Sequence, residues 1–423
     1  MIARGTRHRW LRRIAVGLAA VAAVIGAVFA WAWLSTDRST LARALIWMEA
    51  DVGDRDRFPA RPIHAGERAS ALPVGREREL RVTREGRSAL LDEVLRATET
   101  RAFVVVHADR LVYERYYGNA GPRTPETSFS VAKSFVSTLV GIAIDQGLIG
   151  GVEDPVTDYL PELAARDPRF KRISLRDLLT MSSGLRYEEP GFPWPWGDDT
   201  HTYYGVDLRE VALERTKIER APGQQWHYNN YNPLLLGLVL ERATRTSVSN
   251  YMGRHLWQPL GAAAEASWSI DSERSKFEKM ESGLNATALD YARFGQLFLH
   301  GGRWNGKRIV PRGWVRAATA AQTPTKYDNP YGYLWWLDGE RPDRFYALGN
   351  YGQYIYVDPV AQVVAVRLGS DWGADNDSWL AIFRDIASQL ASAPGTRTIR
   401  KSPTRPGFSE RARQDSNLRP SVP

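Results

Sequence analysis

The stretch "TSFSVAKSFVSTLVGIAI", residues 127–144, holds a single lysine, Lys133, in a run of small and medium apolar residues that reads as a helix. An ammonium there must reach water along its stem or be neutralised, because burying an unpaired charge is costly. Two readings follow: Lys133 snorkels from a helix edge, or it serves as a base for a neighbour one turn away. Ser130 is three residues earlier and so on the same helix face. Serine is a poor nucleophile unless a neighbour takes its proton, and a desolvated lysine can do this. Val131, Phe135, Val136 and Leu139 would supply the desolvation. With Ser130 in the first turn, its Oγ would lie at the positive end of the helix dipole.

Working outward, "ALLDEVLRATET" reads as a helix, and "AFVVVHAD" and "LVYERYYG" as two strands joined by a turn at Asp109 and Arg110. From about 150 to 283 the chain is turn-rich and helical, with Ser174 as the N-cap of "SLRDLLTM" and "NPLLLGLVLERAT" as an apolar helix. After the amphipathic "NATALDYARFGQLFLHG", strands return in "YGYLWWLD", "RFYALG", "GQYIYVDP" and "QVVAVRLGS", and "SWLAIFRDIASQLA" closes the fold. This order implies an α+β fold, an antiparallel sheet flanked by helices with an all-helical domain inserted. The expected domains are a basic stub and transmembrane anchor at 1–36, a connecting arm at 37–86, a hydrolase domain at 87–392 with its helical insertion at about 150–283, and a tail at 393–423. The tail is polar, basic and proline-rich, and is expected to be disordered.

The 423 residues include no cysteine, which excludes disulfides, thiol catalysis and zinc–thiolate sites. Net charge is +8, with much of the arginine excess at the two ends, in "MIARGTRHRWLRR" and "RTIRKSPTRPGFSERARQ". No basic face interleaved with aromatics lies inside the folded part, so no nucleic-acid partner is expected. Residues 14–34, "IAVGLAAVAAVIGAVFAWAWL", carry no charge and are long enough to span a bilayer, and the preceding arginines favour a cytoplasmic N-terminus. The catalytic part is therefore expected on the non-cytoplasmic side of the cell membrane. "VFA" at 28–30 would suit signal cleavage, which would give an exported protein, but the length of the run and Trp31 and Trp33 favour a retained single-pass anchor.

Two further pieces carry chemistry. In "HYNNYN", residues 227–232, Tyr228 and Asn230 form a YxN pattern between a Pro-Gly turn and an apolar helix. A tyrosine beside a lysine can relay a proton, though an aromatic loop packed under a helix looks the same in sequence. In "ALGNYGQYIYVDP", residues 347–359, Gly349 and Gly352 bracket Asn350 at a strand start. Glycines there let backbone approach a ligand, and the Gln353 amide could donate to an oxyanion; a plain hairpin turn would use the same residues.

Together, in this order around a helical insertion, the three pieces resemble the serine β-lactamase and penicillin-binding superfamily. The resemblance is to its class C-like branch, which includes esterases, DD-peptidases and 6-aminohexanoate-oligomer hydrolases. It extends over roughly 90–390, through "VAKSFVSTLVGIAIDQGLIGGVEDPVTDYLPEL", "ISLRDLLTMSSGL", "PGQQWHYNNYNPLLLGLVLE" and "LWQPLGA". The resemblance implies a β-lactamase/transpeptidase-like fold with Ser130 as acylated nucleophile, Lys133 as its base, Tyr228 as proton shuttle and Asn230 completing the second motif. It implies an oxyanion hole from the Ser130 and Gln353 amides, with Asn350 and Gly352 at the substrate.

One departure bears on substrate. Where the family usually has Lys or His two residues before a glycine, this chain has Asn350-Tyr351-Gly352, which offers no charge to a substrate carboxylate. This tilts the expectation from β-lactamase or DD-carboxypeptidase toward a small-molecule esterase or linear amidase. A non-hydrolytic ligand-binding surface module is the alternative of another class. The long aromatic and acidic segment "YEEPGFPWPWGDDTHTYYG", residues 187–205, could close over the site, with Tyr203 or Tyr204 touching substrate; aromatic packing under the loop is the other reading. No GxSxG elbow and no HExxH pattern occurs, and neither cofactor nor metal is expected.

Overall fold

The computed structural model describes residues 3–84, 86–190, 196–325 and 328–392; the tail expected to be disordered lies outside the described residues. The chain enters through α1 (Ala3–Leu34) and α2 (Thr40–Trp47), then β1 (Ala60–Ile63). Helix α3 (Leu91–Ala97) leads into β2 (Thr100–His107) and β3 (Arg110–Tyr116). Their turn places Ala108 and Asp109 at φ 46° and 64°, the left-handed pair that suits the twist of a tight hairpin. Next come β4 (Glu126–Thr127), α4 (Ala132–Asp145), α5 (Asp198–Tyr204), α6 (Tyr231–Thr244), β5 (Ala266–Ser269), β6 (Leu284–Ala286) and α7 (Ala288–Leu299). The closing elements are β7 (Trp336–Leu337), β8 (Phe345–Gly349), β9 (Gln353–Asp358), β10 (Val363–Gly369) and α8 (Asn376–Ala391).

The main sheet runs β7-β8-β9-β10-β2-β3, each neighbour antiparallel to the next. Strands β2 and β10 are apolar almost without alternation because helices cover both faces. Phe103 and Val105 of β2 pack with Trp379, Phe383 and Ile386 of α8, while Val104 and Val106 face a core shared with α4 and α7. Helix α4 is buried along nearly its whole length, as a helix apolar all round must be, and Phe135 stacks on Phe294 of α7 with centroids 3.7 Å apart. Helices thus cover both faces of an antiparallel sheet, preceded by one apolar helix.

Two departures from the sequence reading have a common cause. A second sheet, in the order β1-β5-β6-β4, draws β1 from the arm and β5 from the tract read as all-helical. Each of these strands is two to four residues long, too short to give an alternating pattern, and each exists because a distant segment completes its ladder. The arm is thus woven into the catalytic domain. "YGYLWWLD" likewise keeps only Trp336–Leu337 as strand, since Leu334 turns the chain at φ 57°.

Candidate active site

Ser130 lies in a 3-10 turn, Phe129–Val131, that runs directly into α4. The residue before it, Phe129, is buried at φ 44°, a conformation rare for a bulky side chain and held here by packing against Tyr351, ring centroids 5.4 Å apart. The turn is tied down further by Ser128, whose amide donates to Leu284 O at 2.8 Å and whose hydroxyl donates to Ser282 O at 3.1 Å. Lys133, only 1% exposed, sits one turn on; its Nζ donates to Ser130 Oγ at 2.8 Å and to Glu281 O at 2.8 Å. Snorkelling is therefore excluded: the lysine points inward, onto the serine.

Lys133 Nζ also lies 4.9 Å from the centroid of the Tyr228 ring. Tyr228 stacks on Trp336 at 6.1 Å and leans on Trp226, also at 6.1 Å, which holds its ring in place. Asn230 lines the same cleft, and its Nδ2 donates to the hydroxyl of the buried Tyr187 at 2.8 Å. The cleft measures about 660 Å³, and Ser130, Tyr228, Asn230, Asn350 and Tyr203 all border it. Of the two adjacent tyrosines, Tyr203 faces the cleft while Tyr204 turns away, its hydroxyl donating to Met48 O at 2.7 Å; Tyr204 packs on the arm and does not meet the site. The loop expected over the site forms α5 in its second half, and residues 191–195 lie outside the described residues.

The third motif needs a correction. Gly349, not Gly352, lies against Ser130: a β-carbon there would come within 2.3 Å of Ser128 O and 3.1 Å of Ser130 N. Gly352, at φ 70°, is approached instead by the Arg367 side chain, so its lack of a side chain makes room for a structural guanidinium rather than a ligand. Gln353 is buried, its carboxamide donating to Gly369 O and Asn350 O at 2.8 and 2.9 Å, and it does not border the cleft. Register is the reason, since Gly349 pairs with Gln353 across the β8–β9 hairpin and the turn between them carries Asn350 into the cleft. The cleft-facing run is Leu348, Gly349 and Asn350, and the residue two before the close glycine is the buried Ala347. It too is uncharged.

Sequence reasoning missed a buried ion pair at the site. Lys279 Nζ and Glu281 Oε1 are 3.0 Å apart, both almost wholly buried, and Glu281 borders the cleft while its carbonyl holds Lys133. Burial pushes the Lys279 ammonium below its ordinary value, with Glu281 opposing that shift. The Lys279 ammonium lies over the rings of Phe58 and Tyr203, at 4.3 and 4.2 Å. Lys279 and Glu281, four and two residues before "GLNA", look solvated in sequence; Phe58 of the arm and Tyr203 of α5 cover the ammonium. Arg367 was also missed. Its guanidinium donates to Tyr351 O, Gly352 O, Thr98 O, Asp371 O and Thr100 Oγ1 at 2.6 to 3.0 Å, and with no carboxylate among these partners burial lowers its pKa to about 10. It pins the turn that presents Asn350.

A serine under a buried lysine, with a tyrosine over that lysine and a strand edge alongside, is the arrangement expected from the three motifs. Residues 90–384 match the beta-lactamase family model. The chain belongs to the beta-lactamase family. Within that family it is 28% identical over 321 residues to the 6-aminohexanoate-dimer hydrolase of Paenarthrobacter ureafaciens, covering 72% of this chain and 81% of that one. A Bacillus anthracis structure, solved as a candidate 6-aminohexanoate-dimer hydrolase, superposes with a TM-score of 0.73 at 26% identity, over 85% of this chain and 97% of the other. A class C beta-lactamase mutant shares the fold alone, with a TM-score of 0.55 at 16% identity, over 70% and 95% of the two chains. Membership makes this beta-lactamase-family protein a serine hydrolase.

Proposed function

We propose that the protein cleaves ester or linear amide bonds through an acyl-enzyme on Ser130. The observation that carries this is the 2.8 Å contact between Lys133 Nζ and Ser130 Oγ beneath the Tyr228 ring. In the neutral form of Lys133, the same contact passes the hydroxyl proton to the amine as Oγ attacks the carbonyl carbon. Tyr228 then relays that proton to the departing alcohol or amine. The tetrahedral oxyanion is held by the Ser130 amide and the Asn350 amide, which replaces that of Gln353 because Gly349 brings the Asn350 peptide against the nucleophile. Water then hydrolyses the acyl-serine, with the lysine and tyrosine running the proton transfers in reverse.

The cleft supports an uncharged linear substrate. Phe129, Trp226, Trp336 and Trp372 give it aromatic walls, Leu348 stands on the strand edge, and the charges at its border are of both signs, Glu189 and Arg220 beside a Glu281 already paired with Lys279. The similarity to a 6-aminohexanoate-dimer hydrolase favours linear amides of amino-alkanoates beside simple esters. α1, whose segment Trp10–Leu34 has mean hydropathy 2.4, supports a retained anchor with the catalytic domain on the non-cytoplasmic face. The test is a screen of the full chain in detergent against short-chain esters, linear amides and a chromogenic cephalosporin. Esters or linear amides are expected to turn over fastest; faster cephalosporin hydrolysis would overturn the substrate assignment.

A further inference from the structure

Helix α2, "TLARALIW", has two faces. Its inner face packs on the catalytic domain: Ala42 and Arg43 are buried, and the Trp47 ring lies 5.0 Å from Phe58 and 6.1 Å from Tyr204. Arg43 Nη1 donates to Tyr204 O and Gly205 O at 3.3 and 3.2 Å, and its guanidinium sits 5.2 Å over both the Trp47 and Phe58 rings. The outer face is apolar and partly exposed among the described residues. Leu41 and Leu45 are 39% and 40% exposed and, four residues apart, form a stripe on one helix face; Met48, the C-cap at φ 58°, follows them at 53% exposed.

We propose that this stripe lies in the lipid interface of the bilayer crossed by α1, so that α2 docks the catalytic domain flat on the membrane surface. The proposal rests on the anchor reading of α1. Continuity selects lipid as the occupant. Helix α1 ends at Leu34, with Trp31, Trp33 and Leu34 exposed where an interfacial belt would lie, and only residues 35–39 separate it from α2. The charge beside α2 is mixed, Arg38 and Arg274 bordering a cavity with Asp37, Asp56 and Glu273 and pairing with Asp37 and Asp207, so the apolar stripe carries the docking. An amphipathic helix with this division of faces lies in the plane of the interface rather than across it.

The docking face is joined to the catalytic cleft through few bonds. Met48 O accepts from Tyr204 OH, Ala50 borders the cleft, Ala50 O accepts from Tyr351 OH, and Tyr203 OH donates to Asp54 at 2.8 Å. The cleft wall at Ala50 is thus two residues along the chain from Met48. Substrates held at the membrane surface by an acyl chain would meet the cleft without leaving the interface.

The absence of cysteine allows a direct test. Single variants Leu41→Cys, Leu45→Cys, Val21→Cys in α1 and Val360→Cys in the exposed turn between β9 and β10 are labelled with an environment-sensitive fluorophore. Full-length protein is placed in vesicles of phosphatidylcholine and phosphatidylglycerol containing nitroxide-labelled lipid. Quenching and a blue shift at positions 41, 45 and 21, with neither at 360, are expected. Quenching at 21 with positions 41 and 45 behaving like 360 would overturn the docking while leaving the anchor intact. No quenching at 21 either would overturn both readings.

Discussion

The Gly349 backbone passes so close to Ser130 that a β-carbon on Gly349 would stand 3.1 Å from the Ser130 amide nitrogen and 2.3 Å from Ser128 O. Neither neighbour can retreat, because Ser128 is tied to Leu284 and Ser282. Gly349→Ala is therefore expected to push β8 off the nucleophile and lower kcat about 100-fold, the scale of a 1 Å misplacement, with KM changed less. Steady-state kinetics on a short-chain ester checks it.

In the proposed mechanism Lys133 and Ser130 act as one unit, so removing the lysine is expected to cost about as much as removing the serine. Lys133→Arg keeps the charge without a usable lone pair, and Lys133→Met keeps the length without the charge. Both are expected to lose turnover by about 100- to 10,000-fold. Thermal melts alongside separate this from unfolding: a folded variant with wild-type turnover would remove Lys133 from the mechanism.

The motif containing Ser130 and Lys133 was legible because a spacing of three fixes two side chains on one helical turn whatever surrounds them. Tyr228 followed from its place before the apolar helix α6. The third motif was misread because two glycines three residues apart look equivalent in sequence. Only the β8–β9 register, pairing Gly349 with Gln353, decides which one meets the nucleophile. Tyr203 and Tyr204 were indistinguishable for a similar reason, adjacent residues on a helix whose orientation depends on the arm. The arm itself was the least legible part. Its short strand and helices are stabilised by partners more than 100 residues away, such as β1 by β5, and no local pattern encodes that.

Arg367 spans five oxygens that a shorter, rounder ammonium cannot reach together. Arg367→Lys is expected to leave several buried carbonyls unpaired and to cost about 3 kcal/mol of stability. Because the turn it pins presents Asn350, kcat should fall as well. Chemical denaturation and kinetics on the same preparation would show whether the two losses occur together.

Asp375 caps α8, accepting from the Ser378 amide at 2.7 Å, and this bond holds its carboxyl below the ordinary 3.8. Asp375→Ala is expected to cost about 1 kcal/mol at neutral pH. A carboxyl with a lowered folded pKa stabilises the fold above its unfolded value and loses that contribution as pH falls through the folded one. The gap in melting temperature between wild type and variant should therefore persist down to about pH 3.8 and close below it. Melts across that range check the sign.

The central claim, a covalent acyl-enzyme on Ser130, is tested most directly by intact-mass measurement after exposure to a fluorophosphonate probe. The full-length protein is expected to gain one probe mass, mapped by peptide digestion to Ser130, and Ser130→Ala is expected to gain none. Equal labelling of wild type and Ser130→Ala, or a label mapped to another serine, would contradict the account.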